Sequence, residues 1–336
     1  MDGRVRGAVR SAPRRVPPRC RPLALVATEL RSCGVALTPG APQFPVPLTP
    51  GYEGCGVVDA LGAGVTGLAV GDACVFMPQH GCAATHLVLP VRLVVTVDAA
   101  KLAAATPERT ACLVLTGVTA YQQLHRHAGR ERLERPGASI LVHGAAGGTG
   151  AMLVELAKLA GVKHVYGTCN ARNLEAVRAQ GATAIDYATD WEAEVKRLTG
   201  GRGVDVLLDA VVANGYLAKG LACTARGGIY LAYGFTDSST PGVFSMGTAA
   251  SAMLRLSLQN AVSCVDGRAA RFTNVSQDRD TRPNEFADDV RALLSLVADG
   301  KLEPVVGRVW QLEQARDAWL AIEAGTHRGK QVVRIA

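Results

Sequence analysis

Between Ser139 and Gly150 the chain runs Ser-Ile-Leu-Val-His into Gly144-Ala-Ala-Gly147-Gly148-Thr149-Gly150. Apolar residues then recur at Met152, Leu153, Leu156, Leu159 and Ala160, up to Gly161. That spacing predicts an amphipathic helix closed by glycine. A glycine cluster alone means a tight turn, but between a strand and a helix it acquires a chemistry. Gly147 lets the backbone approach a pyrophosphate, and Gly150 lets the helix pack on the strand. The first N–H groups of the helix and its positive dipole end then face the phosphates. The pattern predicts a dinucleotide site over Gly147, Gly148, Thr149 and Gly150.

The next strand, Val162 to Thr168, bears on which dinucleotide. A site for NAD usually carries an Asp or Glu about 20 residues beyond the glycines, on the ribose 2′-hydroxyl. Here the stretch reads Gly167-Thr168-Cys169-Asn170-Ala171-Arg172-Asn173, with no acid. A 2′-phosphate favours a guanidinium and small donors, so Asn170, Arg172 and Asn173 predict NADPH. Tyr187, Tyr233 and Gly234 follow other strand ends, where an open α/β sheet binds its ligand.

These residues need a framework. From Ser139 strands at 139–143, 164–168, 183–187, 204–209 and 228–232 alternate with helices at 150–160, 171–180, 190–198 and 213–224. This predicts a doubly wound parallel sheet. A helix at 245–259 follows. Residues 265–284 read as polar with no clear element, and 282–298 as a helix. Strand, helix and strand close the chain at 305–310, 312–322 and 331–335. Before the sheet, short apolar runs punctuated by Gly and Pro (54–58, 73–77, 85–89) predict a small β-rich domain. Helices at 107–115 and 119–127 link the two. His125 and His127, two apart on the second of these, face different sides and read as surface residues.

The 336 residues carry a net charge of +7. Seven arginines and one acid place +6 of it within residues 1–22, leaving +1 elsewhere. With the body near neutral and no basic stripe, the charge is no sign of nucleic-acid binding. No run of 18 apolar residues predicts a membrane span. Nine cysteines without a C-x-x-C pair read as buried thiols in a reducing, cytoplasmic setting. The Arg-rich, Pro-interrupted start reads as a disordered tail over 1–22, with a mitochondrial transit peptide as the alternative.

Further motifs carry a resemblance. Pro50-Gly51-Tyr52-Glu53-Gly54-Cys55-Gly56-Val57-Val58, with Gly62, Gly64-Val65 and Gly71-Asp72, is similar to the signature of medium-chain dehydrogenases/reductases. Thr116-Gly117-Val118-Thr119-Ala120-Tyr121 and Ala145-Ala146-Gly147-Gly148-Thr149-Gly150 resemble its zinc-independent quinone oxidoreductase branch. So do Gly181-Ala182 with Asp186-Tyr187, Val204-Asp205 with Asp209, Gly227-Gly228, and Gly329-Lys330-Gln331-Val332-Val333. The resemblance implies a GroES-like catalytic domain (23–115 with 300–336) around a Rossmann domain (116–299). It also implies NADPH as cofactor, Thr119 near the nicotinamide, and a homodimer through the sheet edge. Hydride transfer to a quinone or an α,β-unsaturated carbonyl is the implied reaction. Ala36 and Tyr52 stand where zinc-dependent relatives carry a ligand Cys and His, and the four-cysteine structural zinc loop is absent. Tyr52 thereby becomes the candidate catalytic residue, donating a hydrogen bond to the developing oxyanion.

Against the family's first strand, hairpin and following stretch, Cys33-Gly34-Val35-Ala36 here runs almost directly into Pro39-Gly40. The resemblance then implies one of two things: a wrongly assigned start, or an open and altered substrate cleft. Two other readings stand beside the quinone reductase: an enoyl-thioester or alkenal reductase, and a non-catalytic NADPH-binding protein. There is no G-x-S-x-G nucleophile elbow. A catalytic zinc needs three protein ligands, so elemental analysis of the purified protein is expected to find no stoichiometric zinc. One zinc per chain would overturn this reading.

Overall fold

A computed structural model of the chain describes residues 20–30, 49–212, 215–234, 246–324 and 329–335. Residues 1–19, Ala36 and the rest of 31–48 lie outside that set. Five strands come first: β1 (Cys20–Leu30), β2 (Glu53–Val58), β3 (Ala73–Phe76), β4 (His86–Pro90) and β5 (Val94–Thr96). The short apolar runs form strands as their spacing predicts. β1 starts at Cys20, so Cys20, Arg21 and Pro22 belong to a strand, not to the expected tail.

Helices α1 (Ala99–Ala105) and α2 (Pro107–Ala111) lead into a buried helical run that includes α3 (Val118–Gln122). The sequence predicts two helices broken near Thr116. Instead wide π-helical turns at Leu113–Gly117 and Gln123–His127 carry the helix through. Gly117 keeps helical angles of −65° and −51°. Its missing Cβ admits Met152, which would lie 3.3 Å away. A glycine in a helix here serves close packing, and tertiary contact outweighs its poor propensity.

After α4 (Arg130–Leu133) the parallel sheet begins. Its elements are β6 (Ser139–His143), α5 (Gly148–Leu159), β7 (His164–Cys169), α6 (Leu174–Ala179), β8 (Thr183–Asp186), α7 (Trp191–Leu198), β9 (Val204–Asp209), α8 (Tyr216–Ala222), β10 (Thr224–Ala232), α9 (Met246–Asp266) and β11 (Ala269–Phe272). Strand order is β11-β10-β9-β6-β7-β8, all parallel. The order reverses between β6 and β9, so the crevice lies where β6 delivers its glycine turn. Alternation divides the strand side chains between two faces. Ile140, Val142, Val206, Leu208, Ile229 and Leu231 pack with Leu153 of α5; Leu141, Leu207 and Tyr230 pack with Trp191 of α7 and Leu217 of α8. Each such burial stabilises by about 1.5–3 kcal/mol.

The chain continues through α10 (Val275–Thr281), α11 (Pro283–Ala298), β12 (Val306–Gln311), α12 (Ala315–Glu323) and β13 (Lys330–Arg334). β12 and β13 return to the first sheet, whose order is β12-β13-β1-β2-β3-β5, with β4 also paired to β1. Two elements here have no signature in the sequence pattern. Residues 265–284, expected to lack structure, hold the edge strand β11 and the helix α10. β11 has only four residues and owes its form to pairing with β10. α10 has no apolar stripe; Asn274 caps it, accepting from Ser276 N at 2.9 Å and Gln277 N at 3.3 Å.

At the N-terminal ends of the two central strands a buried carboxylate ties β9 to β6. Asp205 accepts from Ser139 N at 2.8 Å, Ser139 Oγ at 2.9 Å and Arg202 Nη1 at 2.6 Å, and also pairs with Arg135. Burial raises its pKa, but Arg202 and both Ser139 donors outweigh that and hold it below the usual carboxylate range. Asp205→Ala is expected to cost about 2–3 kcal/mol at neutral pH, since it orphans the Ser139 N–H and removes charge-assisted bonds. A carboxylate with a lowered folded pKa contributes above its unfolded value and loses that contribution as pH falls through the folded one. The deficit, measured by denaturant unfolding, should therefore shrink in acid below the ordinary carboxylate range.

Candidate active site

The turn after β6 is fixed by backbone geometry. Gly144 has φ +71°, and Gly147 N donates to Gly144 O at 2.9 Å. Gly147 caps α5 without any side-chain hydrogen bond, so its first N–H groups point outward as an anion site requires. A Cβ on Gly150 would lie 2.2 Å from Gly144 O and 2.8 Å from Ala145 Cα. A Cβ on Gly148 would meet Lys330 Cδ at 2.6 Å. Gly147, Gly148, Thr149 and Gly150 thus form one cradle, and the aliphatic stem of Lys330 lies against it.

The other predicted residues gather at the same edge of the sheet. Asn170, Arg172 and Asn173 follow β7, with Asn173 N donating to Asn170 O at 2.9 Å. Asn170 Oδ1 is buried and has no hydrogen-bond partner among the described residues, an acceptor at the end of β7. Tyr187 follows β8, 44% exposed, its N–H on Cys169 O at 3.0 Å. Tyr233 and Gly234 follow β10, and Tyr233 N donates to Asp209 O at 2.9 Å. Thr119 is buried on α3, which packs against α5. The cradle and the orphan acceptor fit a dinucleotide.

A second polar group lies where the loops flanking β2 and β3 meet α10. Tyr52 is half-buried, with its Oη 3.3 Å from Ser276 Oγ, and Gln79 Nε2 donates to Ser276 Oγ at 3.2 Å. Next to Tyr52, the fully buried Glu53 accepts from Leu115 N and lies 4.0 Å from Lys330 Nζ. Burial pushes the Lys330 ammonium down to about 7. The nearby carboxylate and the positive end of α5 act on it in opposite senses.

Sequence reasoning named Tyr52 but passed over Gln79 and Ser276, and quoted Glu53 and Lys330 only as parts of motifs. Glu53 had a signal: it is a single charge opening an otherwise apolar strand. Ser276 and Gln79 had none. The surface reading of His127 is overturned, because it is buried with Nε2 3.1 Å from Asp278 Oδ2. His125 does lie outward, its ring 4.2 Å from that of Tyr121. The thiols of Cys55, Cys74, Cys82, Cys112, Cys169 and Cys223 are buried. Among the described residues no three His, Cys, Asp or Glu side chains are grouped to hold a metal ion. No described helix is long and apolar enough to cross a membrane.

Comparison with known proteins places these features in context. The family described as alcohol dehydrogenase GroES-like domain matches residues 25–97, and that described as zinc-binding dehydrogenase matches 180–333. The glycine turn lies between the two matches. The synaptic vesicle membrane protein VAT-1 homolog of Rattus norvegicus is 30% identical over 294 residues, covering 85% of this chain and 69% of that protein. Among solved structures, the Escherichia coli quinone oxidoreductase complexed with NADPH superposes with a TM-score of 0.76 at 21% identity, covering 97% of this chain and 95% of the other. The JamJ enoyl reductase in its apo form gives 0.78 at 20%, covering 97% and 94%.

The cradle geometry separates two glycines by experiment. Gly144→Ala meets no atom within 4 Å and should cost about 1–2 kcal/mol for its left-handed backbone. Gly150→Ala drives a methyl into backbone atoms and should cost at least the upper part of the 1–3 kcal/mol typical of overpacking, roughly 3 kcal/mol. Thermal unfolding of the two variants checks the order; equal losses would mean that the turn yields.

Proposed function

This chain belongs to the zinc-independent branch of the medium-chain dehydrogenase/reductase superfamily, and on that premise we propose that it is an NADPH-dependent oxidoreductase reducing a quinone or an α,β-unsaturated carbonyl. The observation that carries the reading is the placement of the uncapped α5 N-terminus and glycine cradle at the sheet's switch point; Tyr52 directly precedes Glu53, whose carboxylate lies 4.0 Å from Nζ of the lysine that packs on the cradle. Bound there, the reduced nicotinamide supplies a hydride, and the acceptor takes its proton from solvent. The protein's own part is to bind, orient and polarise.

Each residue has a task in this proposal. The N–H groups of α5 and the Gly147–Gly150 turn hold the pyrophosphate. Asn170 accepts from the ribose, and Arg172 with Asn173 meets the 2′-phosphate. Tyr187, Tyr233 and Gly234 line the cofactor, and Thr119 lies near the nicotinamide. Tyr52 donates a hydrogen bond to the acceptor oxygen, which gains negative charge during reduction. This needs no metal, because the acceptor is already electrophilic. The edge strand β11, beside exposed Leu254 and Leu258 of α9, supports a homodimer, and the buried thiols support a reducing, cytoplasmic setting.

Two measurements test the proposal. Arg172→Ala removes a cation from a phosphate that NADH lacks; charge-assisted bonds are worth roughly 1.5–3 kcal/mol. NADPH binding should weaken about ten- to a hundredfold while NADH binding stays unchanged, and equal losses would overturn the NADPH assignment. Turnover is then measured with quinones, short enals and enoyl thioesters. Activity confined to thioesters would favour the enoyl-thioester reductase, and NADPH binding without turnover the non-catalytic reading.

A further inference from the structure

Resting on the reading of Tyr52 as the group that meets the acceptor oxygen, we propose that Ser276 and Gln79 are positioning residues that set the direction of the Tyr52 hydroxyl proton. The argument begins with donor and acceptor inventories. A carboxamide nitrogen only donates, so Gln79 Nε2 gives its hydrogen to Ser276 Oγ at 3.2 Å. The serine has one proton of its own, and Tyr52 Oη lies 3.3 Å from it. Ser276 Oγ has two lone pairs as well as its proton; in the arrangement proposed it accepts from Gln79 and donates its own proton on to Tyr52, the opposite direction being the one in which Ser276→Ala would not weaken binding. The phenol then accepts from Ser276 and turns its own proton to another oxygen. A hydroxyl that accepts a hydrogen bond is also the stronger donor.

The three groups come from distant parts of the chain and are held from both sides. Gln79 has φ +81°, a left-handed conformation that costs a non-glycine residue energy and persists only where its surroundings enforce it. Its N–H donates to Tyr52 O at 3.2 Å, coupling the two residues through the backbone as well. Ser276 is buried in the first turn of α10, with its own N–H on Asn274 Oδ1 at 2.9 Å. α10 is fastened to the helical run by Gln123 Nε2 donating to Thr273 Oγ1 at 2.6 Å and by the His127–Asp278 contact at 3.1 Å. On the other side the Arg279 guanidinium donates to Met77 O, two residues before Gln79. Buried polar bonds thus fix a short polar helix so that one serine reaches the tyrosine.

The experiment uses the full chain and duroquinone as probe, with binding read by intrinsic fluorescence without cofactor and turnover read separately with NADPH. Tyr52→Phe, Ser276→Ala, the double variant and Ser276→Thr are compared, each with its melting temperature. Tyr52→Phe is expected to weaken duroquinone binding about two- to tenfold, the range of one neutral hydrogen bond. Ser276→Ala should weaken it within the same range, the double variant should equal Tyr52→Phe alone, and Ser276→Thr should restore binding. In turnover the loss should fall on kcat/KM for the quinone and leave KM for NADPH unchanged. If Ser276→Ala weakens binding as much in the Tyr52→Phe background as in the parent, or Ser276→Thr fails to restore it, the positioning proposal is overturned while Tyr52 keeps its role. If Tyr52→Phe binds duroquinone as the parent does, the reading of Tyr52 itself falls, and the proposal with it.

Discussion

The buried pairing of Glu53 with Lys330 is the constraint on which the site depends. Glu53 opens β2 and Lys330 opens β13, both in the first sheet. Yet Glu53 accepts from the Leu115 backbone, and the Lys330 stem packs on Gly148 at the head of α5. Through the Leu115 N–H on the carboxylate and the Lys330 stem on Gly148, this pair at 4.0 Å joins the first sheet to the helical run and to α5. Taking both charges out of water costs several kcal/mol each, so the pair is poor evidence of stability. Its effect is positional: sliding the first sheet would break the bond to Leu115 and the packing on Gly148.

That fixed point sets what lies beside it. Tyr52 precedes Glu53, so its backbone cannot shift while the carboxylate stays on Leu115. Gln79 is tied to Tyr52 by its own N–H. From the other side α10 comes in as a polar helix. A helix with an apolar stripe would find its place by burying area, which is tolerant of small displacements. Asp278, Arg279 and Asn274 instead hold α10 through directional bonds, which tolerate little. The geometry around Tyr52 therefore follows from polar contacts, while the parallel sheet follows from Leu, Ile and Val.

This division explains what could be read from the sequence. The parallel sheet was legible because alternation and helical spacing are local patterns, and its strands lie within a residue or two of where those patterns put them, apart from β10, which starts four residues earlier, and the short edge strand β11, which they missed. The cradle was legible because a 2.2 Å approach at Gly150 demands glycine, and glycine is visible in a sequence. Tyr52 was found through a motif in which a metal ligand is replaced. Ser276 and Gln79 were not legible. Their meaning lies in contacts spanning 224 and 197 residues, and a lone serine in a polar stretch carries no period. His127 was misread for the same reason: its burial depends on α10, which the apolar pattern could not reveal.

Charge follows the same logic at the cradle. Outside the first 22 residues the chain is close to neutral, so no general positive field draws an anion in. The positive groups are local: the end of α5, Lys330 against Gly148, and Arg172 after β7. They differ in how they act. Arg172 is exposed, so its attraction for an anion passes through water and weakens with salt. Lys330 is buried, and screening hardly reaches it. Its burial disfavours the ammonium form, because the charge is taken out of water. In the proposed reading an anion held at the cradle would favour the charged form again, since an opposite charge close by offsets desolvation.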